Sequence, residues 1–149
     1  MEIIRKAIKK NFDVEIDKDI DFEITNEKIR FFKKDLRELY EHLKLKSLRL
    51  ERLGIYFGKL KKGEKIHLNI EGSQFVGKKA KKNVLNIDDY KTLINFLLGK
   101  VTIKEFQNVE KHNFPIVKYK DYIICSAAST ENEIKSLFPK APKKSLWQV

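Results

Sequence analysis

Lysine and arginine are the side chains in this sequence whose spacing points to chemistry. Arg52, Lys59, Lys61, Lys62 and Lys65 flank one predicted strand–turn–strand element, and Lys78, Lys79, Lys81 and Lys82 cluster just after it. Cations at that density dock on phosphates through charge and charge-assisted hydrogen bonds. Tyr56 and Phe75 are interleaved with them. A ring beside a cation stacks on a splayed base, although a ring at either position also suits a core. Lys135, Lys140, Lys143 and Lys144 near the C-terminal end form a second tier.

The charge is not evenly spread. Residues 1–43 carry 10 basic and 11 acidic groups, residues 44–83 carry 12 and 3, and residues 84–149 carry 10 and 7. Nine of the eleven net positive charges therefore come from one forty-residue window. Self-repulsion disfavours such a window unless a polyanion or solvent screens it. An anionic partner is the simplest reason to keep it, and nucleic acid is the commonest.

Other chemistries find little support. His42, His67 and His112 stand far apart and show no HExxH or HxH spacing, so no metal site is expected. Cys125 lies in the apolar run YIICSAA with no base identifiable beside it, and reads as a small buried hydrophobe. No GxxxxGK[ST] or GxGxxG loop is present to cradle a nucleotide. The acidic run from Asp13 to Glu23 lacks the central glycine of a calcium loop. Its alternation with Ile20, Phe22 and Ile24 describes the wet face of a strand instead.

These side chains need elements to position them. Ile3, Ile4, Ala7 and Ile8 share a helical face over residues 2–11. Strands follow around 20–24 and 29–31. Leu36, Leu39, Tyr40 and Leu43 predict an amphipathic helix over 35–45. Leu53, Ile55 and Phe57 alternate as a strand that runs through Gly58 into the turn LKKGEK, and 65–70 returns as its partner. Residues 71–82 suit one short helix, against which Gly72 and Gly77 weigh. A strand at 84–87 precedes a helix capped by Asp88 or Asp89, with Tyr90, Leu93, Ile94 and Leu97 on its face and Gly99 closing it. IVKYKDYIICSA predicts a hairpin around Tyr119–Asp121. The expected class is α+β: an α/β lobe over 1–48, then a small mixed β-barrel over 49–149.

The chain has 149 residues, enough for one compact domain or two small lobes. Hydrophobic residues make up 42%, so a core can form. The single cysteine excludes an internal disulfide framework. The longest uncharged stretch, Tyr122 to Thr130, is too short to span a bilayer, and the charges in MEIIRKAIKKNFDVE are unlike a secretory signal. A soluble, cytoplasmic, basic protein is expected.

Three segments carry a family resemblance. RLGIYFGKLKKGEKIHLNI (52–70) supplies Gly54, Phe57, Gly58, Lys59, Lys61, Lys62 and His67. VLNIDDYKTLINFLLGK (84–100) supplies a Leu-rich helix ending in Phe96-Leu97-Leu98-Gly99-Lys100. EIKSLFPKAPK (133–143) supplies Lys135, Phe138, Pro139 and Lys140, with Ser136 and Ala141 where asparagine and glycine are usual. In this order the segments resemble the PUA-like RNA-binding domain of Nip-type ribosome-biogenesis factors and of the C-terminal region of RsmF/Sun-type RNA 5-methylcytosine methyltransferases. Ile123–Ala128 departs from the family's glycine-rich strand.

The resemblance implies a stand-alone protein for structured RNA, rRNA or tRNA, acting in RNA modification or ribosome biogenesis. The chain has neither the methyltransferases' cofactor-binding domain nor their two catalytic cysteines. No enzymatic activity and no cofactor are therefore expected. The alternative is a protein-interaction subunit docking on an RNA methyltransferase or pre-ribosomal factor through the acidic N-terminal strand, Leu146 and Trp147.

Overall fold

A computed structural model describes residues 2–45 and 54–139. The elements run α1 (Glu2–Phe12), β1 (Ile20–Thr25), β2 (Lys28–Lys33), α2 (Lys34–Leu45), β3 (Ile55–Lys61), β4 (Lys65–Leu68), α3 (Ile70–Gly77), β5 (Val84–Ile87), α4 (Tyr90–Leu97), β6 (Ile116–Tyr119), β7 (Tyr122–Ser129) and β8 (Ile134–Ser136). The class is α+β. One four-stranded sheet has the order β1-β2-β3-β4 and a second has the order β5-β6-β7-β8. The first is antiparallel throughout, whereas β5 and β6 pair in parallel. A parallel pair needs a crossover, and α4 with the segment up to Pro115 supplies it. The first sheet takes strands from both sides of residue 48, so a division there falls within one sheet.

Two apolar clusters hold these layers. Ile4, Ala7, Ile8 and Phe12 of α1 pack with Phe22, Ile29, Phe57 and Ile66 of the first sheet. Phe57 is the hub, with ring centroids 5.3 Å from Phe22 and 5.0 Å from Phe31. Leu85, Leu93, Phe96, Val117, Ala127 and Ile134 form the second cluster. Asp89 caps α4 by accepting from the Thr92 N–H, and Gly99 takes φ +77° just beyond its end.

The glycines that weigh against a helix at α3 have a packing reason. A Cβ on Gly72 would lie 2.2 Å from the Phe57 carbonyl oxygen, and one on Gly77 would lie 2.9 Å from Ile123 Cγ2. Glycine lets α3 sit between β3 and β7. A buried amide chain then ties α1 to the second sheet. Asn113 Nδ2 donates to Asn11 Oδ1 at 3.0 Å, and Asn83 Nδ2 donates to Asn113 Oδ1 at 3.3 Å. Asn11 Nδ2 in turn donates to the Ala7 and Glu64 carbonyls, which anchors the β3–β4 turn.

Helix α2 forms where its periodicity predicts, but Leu36 and Leu39 are not buried as that pattern implies. Leu36 and Leu39 are 42% and 51% exposed. Arg37 ties α2 to the first sheet: its Nε donates to Asp21 Oδ2 at 2.9 Å, and its guanidinium lies 5.0 Å from the Phe32 ring centroid. Periodicity reports a stripe and does not report what covers it.

Candidate nucleic-acid interface

The site is built on one irregularity in β3. Ile29 pairs with Gly58 and Arg30 with Tyr56, so Phe57 is an extra residue on β3. Gly58 has φ +154°, and a Cβ there would lie 2.4 Å from the His67 carbonyl oxygen. The bulge shifts the alternation by one. Phe57 and Leu60 turn to the core, while Tyr56, Lys59 and Lys61 turn outward together.

Cross-strand register then assembles a face. Lys28 pairs with Lys59, Lys59 with His67, Lys61 with Lys65, and Arg30 with Tyr56. The partners between these positions, Ile29 and Ile66, point the other way into the core. Like charges directly opposite in a sheet repel, so Lys61 against Lys65 is unfavourable without a counter-charge. Some lysines elsewhere have one: Lys9 pairs with Asp13, Lys10 with Glu64, Lys82 with Glu110 and Lys111 with Glu131. Among the described residues, Lys28, Arg30, Lys59 and Lys61 make no ion pair. Lys65 donates to the His112 carbonyl. Glu23, paired with Arg30, marks where the acidic face of β1 begins.

The His67 ring stacks on Phe114, with centroids 5.1 Å apart and planes at 18°. Burial lowers its pKa, and the charges of Lys61 and Lys59 lower it further. Burial raises Tyr56, opposed by Arg30. Above the ordinary 6.5 both folded and unfolded histidine are neutral; below it the unfolded chain takes the proton first, so stability falls. Urea midpoints between pH 6.5 and 5 are expected to fall more steeply for the native protein than for His67→Phe. Identical slopes would remove the basis for a neutral His67.

A cavity of about 340 Å³ opens beside this face where β3, β4, α3, β7 and residues 137–139 meet. Tyr56, Lys59, His67, Glu71, Ser126 and Leu137 line it. Cys125 borders it, but burial pushes its thiol up to about 12, so it is not a thiolate nucleophile at neutral pH.

The cations expected as one group separate into two. Lys59, Lys61 and Lys65 share the sheet face, and Lys62 is exposed in the turn beyond it. Lys78, Lys79, Lys81 and Lys82 lie past the other end of α3, a helix about 12 Å long. There they meet the acidic segment after α1. Lys78 and Lys79 line a second cavity with Glu15, Asp17 and Asp19. Lys82 pairs with Glu110 at 3.3 Å, and the Lys81 N–H donates to the Phe12 carbonyl. Lys135 is exposed on β8, 3.7 Å from Glu133. Arg52, Lys140, Lys143 and Lys144 lie outside the described residues, as do Leu146 and Trp147.

The two interleaved rings separate as well. Phe75 packs against the first core, with its centroid 5.0 Å from Phe31, while Tyr56 lies on the cationic face. Lys28 and Arg30 are the members that sequence reading missed. Their alternation with Ile29 and Phe31 marks them as outward, but only the β2–β3 pairing brings them beside Lys59 and Tyr56.

Among the described residues no group of three or more His, Cys, Asp or Glu side chains could hold a metal ion, and no helix is long and apolar enough to cross a membrane. No model of a known protein family matches the chain, and no match is found among curated proteins.

Proposed function

We propose that the chain is a non-enzymatic RNA-binding protein for structured RNA, rRNA or tRNA, acting in RNA modification or ribosome biogenesis. One observation carries the reading: Lys28, Arg30, Lys59 and Lys61 share a sheet face with Tyr56 and His67 and make no ion pair among the described residues. A phosphate backbone supplies the missing counter-charge, and the two rings supply a surface for unpaired bases. The PUA-like resemblance of residues 52–70, 84–100 and 133–143 adds to it, with the cytoplasm as the proposed compartment. The phosphate contacts are Arg52, Lys59, Lys61, Lys62 and Lys65, now with Lys28 and Arg30. Lys78, Lys79, Lys81 and Lys82 contribute less because acidic groups surround them.

A protein-interaction role is the second reading, favoured by the exposed Leu36 and Leu39 of α2. Co-purification from source extract separates the two. RNA is expected with the protein before nuclease treatment, and associated proteins are expected to leave after it. A protein that stays bound after nuclease favours docking on an RNA methyltransferase or pre-ribosomal factor instead.

A further inference from the structure

The cavity beside the cationic face has the size and lining of a single-residue site. Its volume, about 340 Å³, is at the low end for small-molecule pockets. A paired helix cannot enter such a space; one extruded residue can. Leu68, Ile70, Leu137 and Pro139 make an apolar wall, and the Tyr56 and His67 side chains supply π-surface. An apolar and aromatic lining accepts any base through its π-face. Lys59 belongs both to this cavity and to the cationic face, so a strand held on the face has a phosphate contact at the cavity's edge.

The polar groups narrow the ligand further. Asn69 shapes the cavity and does not read what enters it: its Nδ2 donates to the Tyr56 carbonyl and its Oδ1 accepts from the Gly72 N–H. The Ser126 and Ser73 hydroxyls are 3.1 Å apart and share one hydrogen bond, which leaves donor capacity on one of them. Glu71 presents an exposed carboxylate on the lining. That group accepts from a sugar hydroxyl and repels a second phosphate. The 2′-hydroxyl is the group that separates RNA from DNA at a single site.

We infer that this cavity takes one unpaired ribonucleotide, its base against Tyr56 and Leu137, its phosphate on Lys59 and its 2′-hydroxyl on Glu71. The assignment rests on the RNA-binding reading and adds a preference for a bulged or looped residue over an unbroken helix.

The probes are two RNA hairpins that differ only by a single bulged 2-aminopurine, together with a third whose bulge is 2′-deoxy. Native protein is expected to bind the bulged hairpin about tenfold tighter than the paired one, with a change in 2-aminopurine fluorescence. Leu137→Trp fills the cavity without altering charge, and Tyr56→Ala removes a ring. Each is expected to erase the preference, and with Leu137→Trp the paired-hairpin affinity holds within about twofold. Glu71→Ala, which removes the acceptor, is expected to erase discrimination against the 2′-deoxy bulge. Equal binding of bulged and paired hairpins by native protein, or a preference that survives Leu137→Trp, overturns the site and leaves the RNA reading standing. Failure to bind any hairpin at low salt overturns the RNA reading itself. Adenosine monophosphate is expected to displace the bulged probe only at millimolar concentration; displacement at micromolar concentration makes a free nucleotide the ligand and overturns the assignment to RNA.

Discussion

Replacing Arg30, Lys59, Lys61 and Lys65 together with glutamine is expected to weaken RNA binding on the order of 10³-fold near physiological salt. Each phosphate contact adds about 0.9 to the slope of log affinity against log salt for a duplex. Four lost contacts flatten the slope by about 3 to 4 and remove the matching share of affinity at physiological salt. The fold should survive, because these side chains lie on the outer face and the like-charge pair Lys61–Lys65 is relieved. The same substitution at Lys78, Lys79, Lys81 and Lys82 is expected to do less, since Lys82 is paired with Glu110 and the others lie near Asp13, Asp17 and Asp19. Full affinity and an unchanged slope in the first variant would mean the interface lies elsewhere.

Gly72→Ala is expected to destabilise the fold by about 2–3 kcal/mol, lowering the melting temperature by about 5–10 °C. The sign is not obvious in advance. Alanine inside a helix ordinarily gains about 1 kcal/mol over glycine. Here the new methyl would stand 2.2 Å from the Phe57 carbonyl oxygen, a backbone atom at the centre of the first sheet. Either α3 or β3 must move, and both wall the cavity beside the cationic face. Gly99→Ala is the contrast. At φ +77° with nothing within 4 Å of the added methyl, it carries only the left-handed penalty of about 1–2 kcal/mol. Thermal melts of the two variants check the comparison, and a Gly72→Ala protein as stable as the native one would contradict the packing described for α3.

Much of the local structure was legible in the residues. Alternation around Phe22, Ile29 and Phe57 gives the first three strands, and Asp89 and Gly99 bracket α4 as their types predict. Three features were not legible, each because it depends on contacts distant in sequence. The glycines of α3 argue against a helix until β3 and β7 are seen pressed against them. Strand β8 is three residues long and owes its existence to pairing with Ala127–Ser129. Lys28 and Arg30 sit in a segment of nearly balanced charge, and only the pairing of β2 with β3 brings them to Lys59 and Tyr56.

The charge excess of residues 44–83 was readable, and so was the strand–turn–strand that carries Lys59, Lys61 and Lys65. Its apparent unity was not real, because α3 intervenes and its far end meets the acidic segment after α1. Whether Tyr56 or Phe75 is a core ring was undecidable from spacing alone. The bulge at Gly58 decides it for Tyr56, and contact with Phe31 decides it for Phe75.

The most direct test is titration of the purified protein with tRNA, a structured rRNA fragment and duplex DNA across a salt series. The proposed interface, of cations that make no ion pair among the described residues beside two rings, predicts tighter binding to one RNA than to DNA, with a steep log–log salt slope that counts the phosphates engaged. Weak and equal binding to all three would contradict it, and would make the cationic face a solvated surface.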